Sequence, residues 1–149
     1  MTDELSHVDT GGRVRMVDVG GKPDSRRRAV ASARVRMAAE TAERLRALPK
    51  GDALAAAELA GVMAAKRTAE LIPLCHQLPL SVVRVAAEIA DGAVEIVASA
   101  ETVAQTGVEM EALVAAAVAA LTVYDMAKAI DKAMVVEEVR LVEKTKEPV

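Results

Sequence analysis

Two stretches in the middle of the chain have the pattern of hydrophobic positions expected of paired β-strands. Leu80–Ile89 and Ala93–Ala100 are extended runs rich in β-branched residues, and Asp91-Gly92 stands between them. Asp-Gly between two such runs is a strong signal for a tight turn, because glycine adopts positive φ without strain. The pattern therefore predicts an antiparallel hairpin.

Two further strands are predicted, one near each end of the chain. Residues alternate between the two sides of an extended chain over Ala29–Met37, and Met134–Val142 is rich in valine. Alternation with a period of two and enrichment in β-branched residues are both typical of strands. Four strands are therefore expected in all.

The segments between the strands carry helix signals. Glu40–Leu48 predicts a short helix that Pro49 stops, and a second helix is expected from an N-cap at Asp52 toward Leu71. Asp52 suits the N-cap because its carboxylate can accept hydrogen bonds from the free amides of the first turn. Proline ends a helix because it lacks the amide hydrogen and its ring clashes with the preceding turn.

A long third helix is expected to begin at Thr106-Gly107-Val108-Glu109 and to reach about Ile130. A hydroxyl followed three residues later by a carboxylate matches the capping box, in which each side chain caps one backbone amide. The order strand, two helices, two strands, helix, strand is the split βαβ arrangement. It predicts an α+β fold with a ferredoxin-like antiparallel sheet and helices packed on one face.

The expected organisation is one folded domain, residues 29–149, preceded by a polar arm, residues 1–28, that ends in three consecutive arginines. The 149 residues include no Phe or Trp and a single tyrosine, Tyr124, so the core must be built from aliphatic side chains. Without aromatic stacking platforms, and with a net charge of −3, the chain is not expected to bind nucleic acid.

Three features favour a cytoplasmic location or argue against a membrane span. Cys75 is the only cysteine, and the first ten residues have no apolar signal core. The longest uncharged run, Ala112–Tyr124, falls short of the roughly 18 apolar residues that a membrane-spanning helix needs. We therefore expect this run to be buried inside protein.

Lysines interrupt the apolar faces of both long predicted helices. At about 100° per residue, Lys128 falls within the stripe that groups the apolar residues of the last helix, and Asp125 lies just beyond its edge. Lys66 lies close to Leu59 and Val62 on the preceding helix by the same counting. The stripe that predicts the core of the last helix consists of Leu113, Val114, Ala117, Leu121 and Tyr124.

Burial of an ammonium group lowers its pKa toward the range useful for proton transfer, so these lysines are candidate acid/base groups. The alternative is that Lys128 extends to water and forms an ordinary pair with Asp125, three residues before it. Two such lysines near helix ends favour a shared cleft.

The segment Leu71–Pro79 is predicted to be a stiff, irregular connection, because Pro73 and Pro79 flank it. It presents His76 beside Cys75. A zinc site is not expected, since there is no second cysteine and the only other histidine, His7, lies in the arm. A cysteine nucleophile is also weakly supported, because nothing but His76 is placed to act as its base.

Phosphate could be held by scattered cations, although no glycine-rich phosphate loop or dinucleotide turn is present. Lys50 is the most suggestive of them because it immediately precedes a predicted helix N-terminus, where free amides favour anions. Taken one at a time, each is better explained as a solvated surface charge. The group comprises Arg26, Arg27, Lys50, Lys66 and Arg67.

Several segments, in order from about residue 5 to 144, resemble the molybdenum cofactor biosynthesis protein C family, the cyclic pyranopterin monophosphate synthases. The agreement of many segments in one order is far more specific than any single motif. The segments are Met16–Val19, Lys50–Asp52, Ala64–Thr68, Leu71–His76, Thr106–Leu113 and Leu121–Ala129.

The resemblance implies a ferredoxin-like subunit in a homohexamer, a trimer of dimers, with active sites at subunit interfaces. It implies conversion of 3′,8-cyclo-7,8-dihydroguanosine triphosphate to cyclic pyranopterin monophosphate and pyrophosphate. It implies no metal and no organic cofactor. A non-catalytic oligomeric nucleotide-binding module is the alternative function, because small α+β folds also serve as sensors.

Matched segment by segment, the resemblance also implies roles for individual residues. Asp125 and Lys128 are similar to a catalytic acid/base pair, with Lys50 and Lys66 as partners in proton transfer and triphosphate binding. Substrate contacts are implied for Leu74, Cys75, His76, Met110 and Glu111. Supporting site roles are implied for Glu109, Arg27, Asp18 and Lys144.

Overall fold

The computed structural model describes residues 6–149, so the first five residues of the predicted arm lie outside the described residues. Four strands and four helices follow the arm. In chain order they are β1 (Ser25–Arg36), α1 (Ala39–Arg44), α2 (Ala53–Ala65), α3 (Thr68–Leu71), β2 (Leu80–Ala90), β3 (Ala93–Ala104), α4 (Glu109–Ala127) and β4 (Val135–Pro148).

The strands form one antiparallel sheet in the order β2-β3-β1-β4. The predicted hairpin is confirmed, with Ala90 paired to Ala93 and Gly92 at φ 61° in the turn. Helix α4 packs on the sheet beside α2, and the opposite face carries cross-strand ion pairs such as those of Arg34 with Glu95 and Glu137. The predicted α+β fold, an antiparallel sheet with helices on one face, is confirmed.

Strands β1 and β4 are longer than the sequence pattern predicts. Strand β1 begins at Ser25 instead of Ala29, so Arg27 belongs to the sheet and not to a loop. Strand β4 continues past Val142 to Pro148. Opposite charges across the two strands explain both extensions, because Arg28 pairs with Glu143 at 3.3 Å.

The helix termini confirm one predicted cap and contradict another. The Asp52 carboxylate accepts hydrogen bonds from the amides of Leu54 and Ala55 at 2.9 and 3.2 Å, as an N-cap does. The capping box at Thr106 is wrong, because α4 begins at Glu109 with Val108 as an N-cap that makes no side-chain bond. The predicted second helix divides into α2 and α3 near Lys66 and Arg67.

The core faces of α2 and α4 are built mainly from small residues, and the predicted stripe holds only in part. Val114 is buried, but Leu121 on α4 is 57% exposed and Leu59 on α2 is 63% exposed. Alanine and glycine allow the two helix backbones to approach closely, so these two leucines point outward. The buried residues of α4 are Glu111, Ala112, Val114, Ala115, Ala116, Ala119, Ala120, Val123 and Ala127.

Helix α4 has the length and apolar composition that a membrane span requires. Its packing against α2 and against all four strands is that of a core helix. The expectation that the apolar run is buried within protein therefore holds for one side of α4.

Candidate active site

Two lysines and an aspartate meet where α4 ends. Lys128 Nζ lies 2.8 Å from Asp125 Oδ1, and Lys50 Nζ lies 3.0 Å from Asp125 Oδ2. Asp125 and Lys128 come from the last turn and C-cap of α4, while Lys50 comes from the turn that precedes α2. We call Lys50, Asp125 and Lys128 the lysine–aspartate cluster.

The electrostatics of the cluster differ from the prediction. Hydrogen bonds from Lys128 and then Lys50 hold the pKa of Asp125 below its ordinary value, and Asp125 in turn raises the pKa of Lys128. The side chain of Lys128 is 53% exposed. The predicted burial and lowered pKa of Lys128 are therefore wrong within the subunit, because the part of the predicted stripe around Leu121 is exposed. The alternative pairing with Asp125 is what the structure shows.

A cleft of about 170 Å³ lies at the opposite end of α4. Its walls come from the loop before β2, the loop before α4, and the first turn of α4. It brings together six of the residues predicted to contact or support the substrate site. These are Leu74, Cys75, His76, Glu109, Met110 and Glu111.

His76 is fixed in the cleft by the N-terminal arm. Its Nε2 lies 2.6 Å from the carbonyl oxygen of Val17, which can only accept, so the ring donates Nε2–H. The prolines on either side keep the connection out of regular structure, as the sequence predicts. The arm therefore contributes to the wall of the site through its backbone.

Glu111 is the most deeply buried ionisable group of the cleft. It is 5% exposed, and its Oε2 is buried without a hydrogen-bond partner among residues 6–149. Burial, followed by repulsion from Glu109, raises the pKa of Glu111 to about 7, partly opposed by a hydrogen bond from its own amide. Carboxyls with such shifts are characteristic of functional sites.

Cys75 and Lys66 adjoin Glu111. Burial raises the pKa of the Cys75 thiol and Glu111 raises it further, so this cysteine is a poor nucleophile. Lys66 is the C-cap of α2 and is exposed, so its predicted place on a buried apolar face is wrong. It nevertheless lines a cavity of about 20 Å³ together with His76 and Glu111.

The four predicted supporting residues have different surroundings. Lys144 Nζ lies 3.6 Å from Glu109 Oε1, which places β4 beside the cleft. Arg27 donates from Nη2 to the carbonyl of Gln105 at 3.4 Å. Asp18 accepts a hydrogen bond from the amide of Gly20 at 2.9 Å and lines none of the described cavities.

Sequence reasoning missed Gly107, which lines the cleft, and Gln105, which lies beside it. Gln105 joins two parts of the site, because its side chain donates to Gly20 and its carbonyl accepts from Arg27. Gly107 leaves room for Glu109, whose carboxylate would overlap a Cβ at that position. A glycine two residues before a helix was a usable signal for Gly107, whereas nothing in the sequence pattern indicates the contacts of Gln105.

The cleft and the lysine–aspartate cluster are far apart within one subunit. Fourteen residues of α4 separate Glu111 from Asp125, which corresponds to about 21 Å along the helix axis. Helix α2 runs in the opposite direction, since Lys50 before it meets Asp125 and Lys66 at its end lies near Glu111. A single substrate in the cleft does not contact the cluster of the same subunit directly.

Among residues 6–149, no three His, Cys, Asp or Glu side chains are grouped so that they could bind a metal ion. The titratable groups instead form two sets, a cationic cluster around one carboxylate and a cleft with a buried carboxyl. Charged clusters and a buried carboxyl with a raised pKa, carried on an α+β subunit, are characteristic of an enzyme.

Comparison with known proteins identifies the family. The model of the MoaC family matches residues 16–147. A cyclic pyranopterin monophosphate synthase of Novosphingobium aromaticivorans is 54% identical over 145 residues, covering 95% of this chain and 92% of its own. One from Roseiflexus sp. is 56% identical over 146 residues, with 95% and 92% covered.

A molybdenum cofactor biosynthesis bifunctional protein of Chlorobaculum tepidum is 55% identical over 144 residues, which cover 95% of this chain and 46% of the bifunctional protein. The chain is an enzyme of molybdenum cofactor biosynthesis. It belongs to the MoaC family.

Proposed function

We propose that this protein converts 3′,8-cyclo-7,8-dihydroguanosine triphosphate to cyclic pyranopterin monophosphate with release of pyrophosphate, a lyase reaction. The names of the relatives support the reaction. The observation that carries the proposal in the structure is the pair of ammonium groups that converge on Asp125. A triphosphate needs such cations, and a departing pyrophosphate needs them most.

The charge balance of the cluster suits a reaction on phosphorus. In the free subunit both lysines are engaged by Asp125. A bound triphosphate competes for the two ammonium groups, and as they turn to it the Asp125 carboxylate loses the contacts that lower its pKa. Asp125 then becomes a better proton acceptor at the moment when the substrate is in place.

The final step follows from this arrangement. A sugar hydroxyl attacks the α-phosphorus, its proton passes to Asp125, and the bond from the α-phosphorus to the bridging oxygen breaks. Lys50 and Lys128 stabilise the charge that develops on the departing pyrophosphate. The ring rearrangement that precedes this step takes place in the cleft, where His76, Met110 and Glu111 contact the heterocycle. The proposal includes no metal and no organic cofactor.

We place each active site between two subunits of a homohexamer. Two observations support this placement. The cleft and the cluster lie about 21 Å apart on one α4, so one substrate reaches both only if they come from different chains. Large aliphatic side chains also face outward from α2 and α4, namely Leu59, Met63 and Leu121. Such exposed apolar residues are typical of subunit contacts.

We propose a cytoplasmic location.

Lys128→Met tests the catalytic role. The variant removes one ammonium group but keeps an unbranched side chain of similar length. We expect pyrophosphate release from the cyclised nucleotide to fall by at least about a hundredfold, as loss of a transition-state charge partner does. Lys132→Met is the matched control, because Lys132 is an exposed lysine four residues away and outside the cluster. Near-normal turnover by Lys128→Met would refute the role.

A nucleotide-binding module would behave differently in the same assay. It would retain the cyclised nucleotide unchanged, so the wild-type protein would release no pyrophosphate. Detection of pyrophosphate after mixing therefore separates the two functions directly.

A further inference from the structure

Glu111 combines three properties that an ordinary substrate-contacting carboxylate does not combine. Its side chain is almost completely buried, its Oε2 has no partner among the described residues, and it lines two adjoining cavities. An ionised carboxylate with an unsatisfied oxygen is costly to bury, whereas a protonated carboxyl is much less so. The geometry therefore favours the neutral acid while the cleft is empty.

The charged and titratable groups around Glu111 do not offset this cost. Glu109 repels a negative charge at Glu111 and pairs instead with Lys144 on β4. Lys66, at the end of α2, is the nearest cation that shares a cavity with Glu111, yet it is exposed and makes no ion pair with it. The neighbouring loop contributes His76, whose Nε2–H is given to Val17, and Cys75. The N-terminal arm contributes His7, whose Nδ1 lies 3.2 Å from Ser6 Oγ.

Thr68 on α3 completes the surroundings without satisfying the free oxygen. Its hydroxyl lies 2.9 Å from the carbonyl of Ala65 and donates to it, so its hydrogen is already used. The free oxygen of Glu111 thus lacks a donor from each of the neighbouring elements that line the two cavities.

We propose that Glu111 carries a proton while the cleft is empty, and that binding of a ring whose edge presents N–H donors releases this proton to solvent. The donors of the ring supply the hydrogen bonds that the subunit does not, and they stabilise the carboxylate form. Glu111 then acts as a specificity-determining residue for rings that present donors, and it links binding to pH. This inference rests on the proposed function, since a pterin is such a ring.

The first experiment measures Glu111 in the ligand-free protein. The carboxyl carbons of the glutamate side chains are followed by NMR as pH is changed, and Glu111→Gln identifies the resonance that belongs to Glu111. The inference predicts that the Glu111 resonance titrates with a midpoint near 7, because burial raises the pKa of Glu111 to about 7. A Glu111 resonance whose midpoint lies at the ordinary glutamate value of 4.5 would overturn the inference.

The second experiment measures proton release on binding of the product, cyclic pyranopterin monophosphate. Its cyclic diester does not titrate near neutrality, so the phosphate of the product contributes no proton at pH 6. Calorimetry in two buffers of different ionisation enthalpy is expected to show close to one proton per site for the wild type and none for Glu111→Gln. The affinity of the wild type is expected to weaken up to about tenfold per pH unit below the midpoint.

The outcomes separate this inference from the proposed function. Equal proton release by wild type and Glu111→Gln would overturn the inference. It would not affect the proposed function, which is tested separately by pyrophosphate release from the wild type. Failure of the wild type to bind the product would contradict both the linkage and the proposed function. The NMR titration then still decides whether the empty cleft holds a protonated Glu111.

Discussion

The close approach of α2 and α4 at Gly61 can be tested by adding a single methyl group. A Cβ at this position would lie 2.9 Å from the carbonyl oxygen of Ala115 and 2.9 Å from Cγ2 of Val85. One neighbour is helix backbone and the other is a β-branched side chain on a strand, so neither can turn aside easily. Gly61→Ala therefore forces α2 away from both elements.

Two opposing contributions set the size of the effect. Alanine is better than glycine inside a helix by about 1 kcal/mol. Overpacking a close-packed core costs about 1–3 kcal/mol, and contacts on two rigid elements place Gly61→Ala near the upper limit. We expect a net decrease of about 2 kcal/mol in the free energy of unfolding.

Denaturant unfolding followed by circular dichroism measures this difference, with Gly21→Ala as the control. Gly21 has negative φ, and a methyl group added there would have no atom within 4 Å. Its substitution is expected to change the free energy of unfolding by less than about 0.5 kcal/mol. If Gly61→Ala were more stable than the wild type, the helices would not be packed as closely as described.

Three further substitutions test other parts of the structure by denaturant unfolding. Asp131→Ala removes three hydrogen bonds to the start of α1 and the loop before β4, which is expected to cost about 2–4 kcal/mol. These bonds, the amide of Ala133 first, lower the pKa of Asp131, so their contribution is present above the ordinary carboxyl pKa and lost as pH falls through the lowered one. The free energy of unfolding of the variant should therefore fall less in acid than that of the wild type. An equal fall for both proteins in acid would contradict this. For Glu111 the sign is opposite: the pKa rises from 4.5 to about 7, so the stabilisation is complete below pH 4.5 and is lost as pH rises through 7. The wild type should lose on the order of 3 kcal/mol over this window relative to Glu111→Gln, and parallel profiles would contradict burial of the carboxyl. Asp52→Ala removes the N-cap of α2 and should cost about 1 kcal/mol, whereas no change would contradict the capping role.

Local signals in the sequence were sufficient for much of the fold. The Asp91-Gly92 turn and the β-branched runs beside it predict the hairpin, because turn conformation and strand propensity depend on adjacent residues. The Asp52 cap is predictable for the same reason. The strand limits at Ser25 and Pro148 were missed because they depend on charge pairs between strands distant in sequence.

The orientation of the helices could not be obtained by the same reasoning. The predicted core stripe assumed that large aliphatic residues face inward, but Leu59 and Leu121 are exposed while Gly61 and Ala115 meet in the interior. When two helices pack closely through small residues, side-chain size no longer identifies the buried face. The same assumption placed Lys128 in the core.

The resemblance to a family supplied the residues of the candidate site but not their arrangement. The resemblance named Asp125, Lys128 and Lys50, and the structure brings these three within hydrogen-bonding distance. The distance between this cluster and the cleft at Glu111 could not be predicted in the same way, because it depends on how α4 and its neighbouring elements pack. Asp18 accepts a local hydrogen bond from the amide of Gly20, while its neighbour Val17 contacts His76, and neither contact is indicated by the sequence pattern.

The central claim is that one site combines the lysine–aspartate cluster of one subunit with the cleft of another. Lys128→Met damages the cluster and His76→Ala damages the cleft, so each variant alone is expected to lose most of its pyrophosphate release. Co-expression of the two as differently tagged subunits, followed by purification of mixed oligomers, tests whether the damage lies on different chains.

In randomly mixed oligomers, about a quarter of the sites receive an intact cluster from one chain and an intact cleft from the other. The account predicts that pyrophosphate release returns to about a quarter of the wild-type rate per site. Mixed oligomers that are no more active than the two separate variants would contradict it, because both sets of residues would then act within one chain.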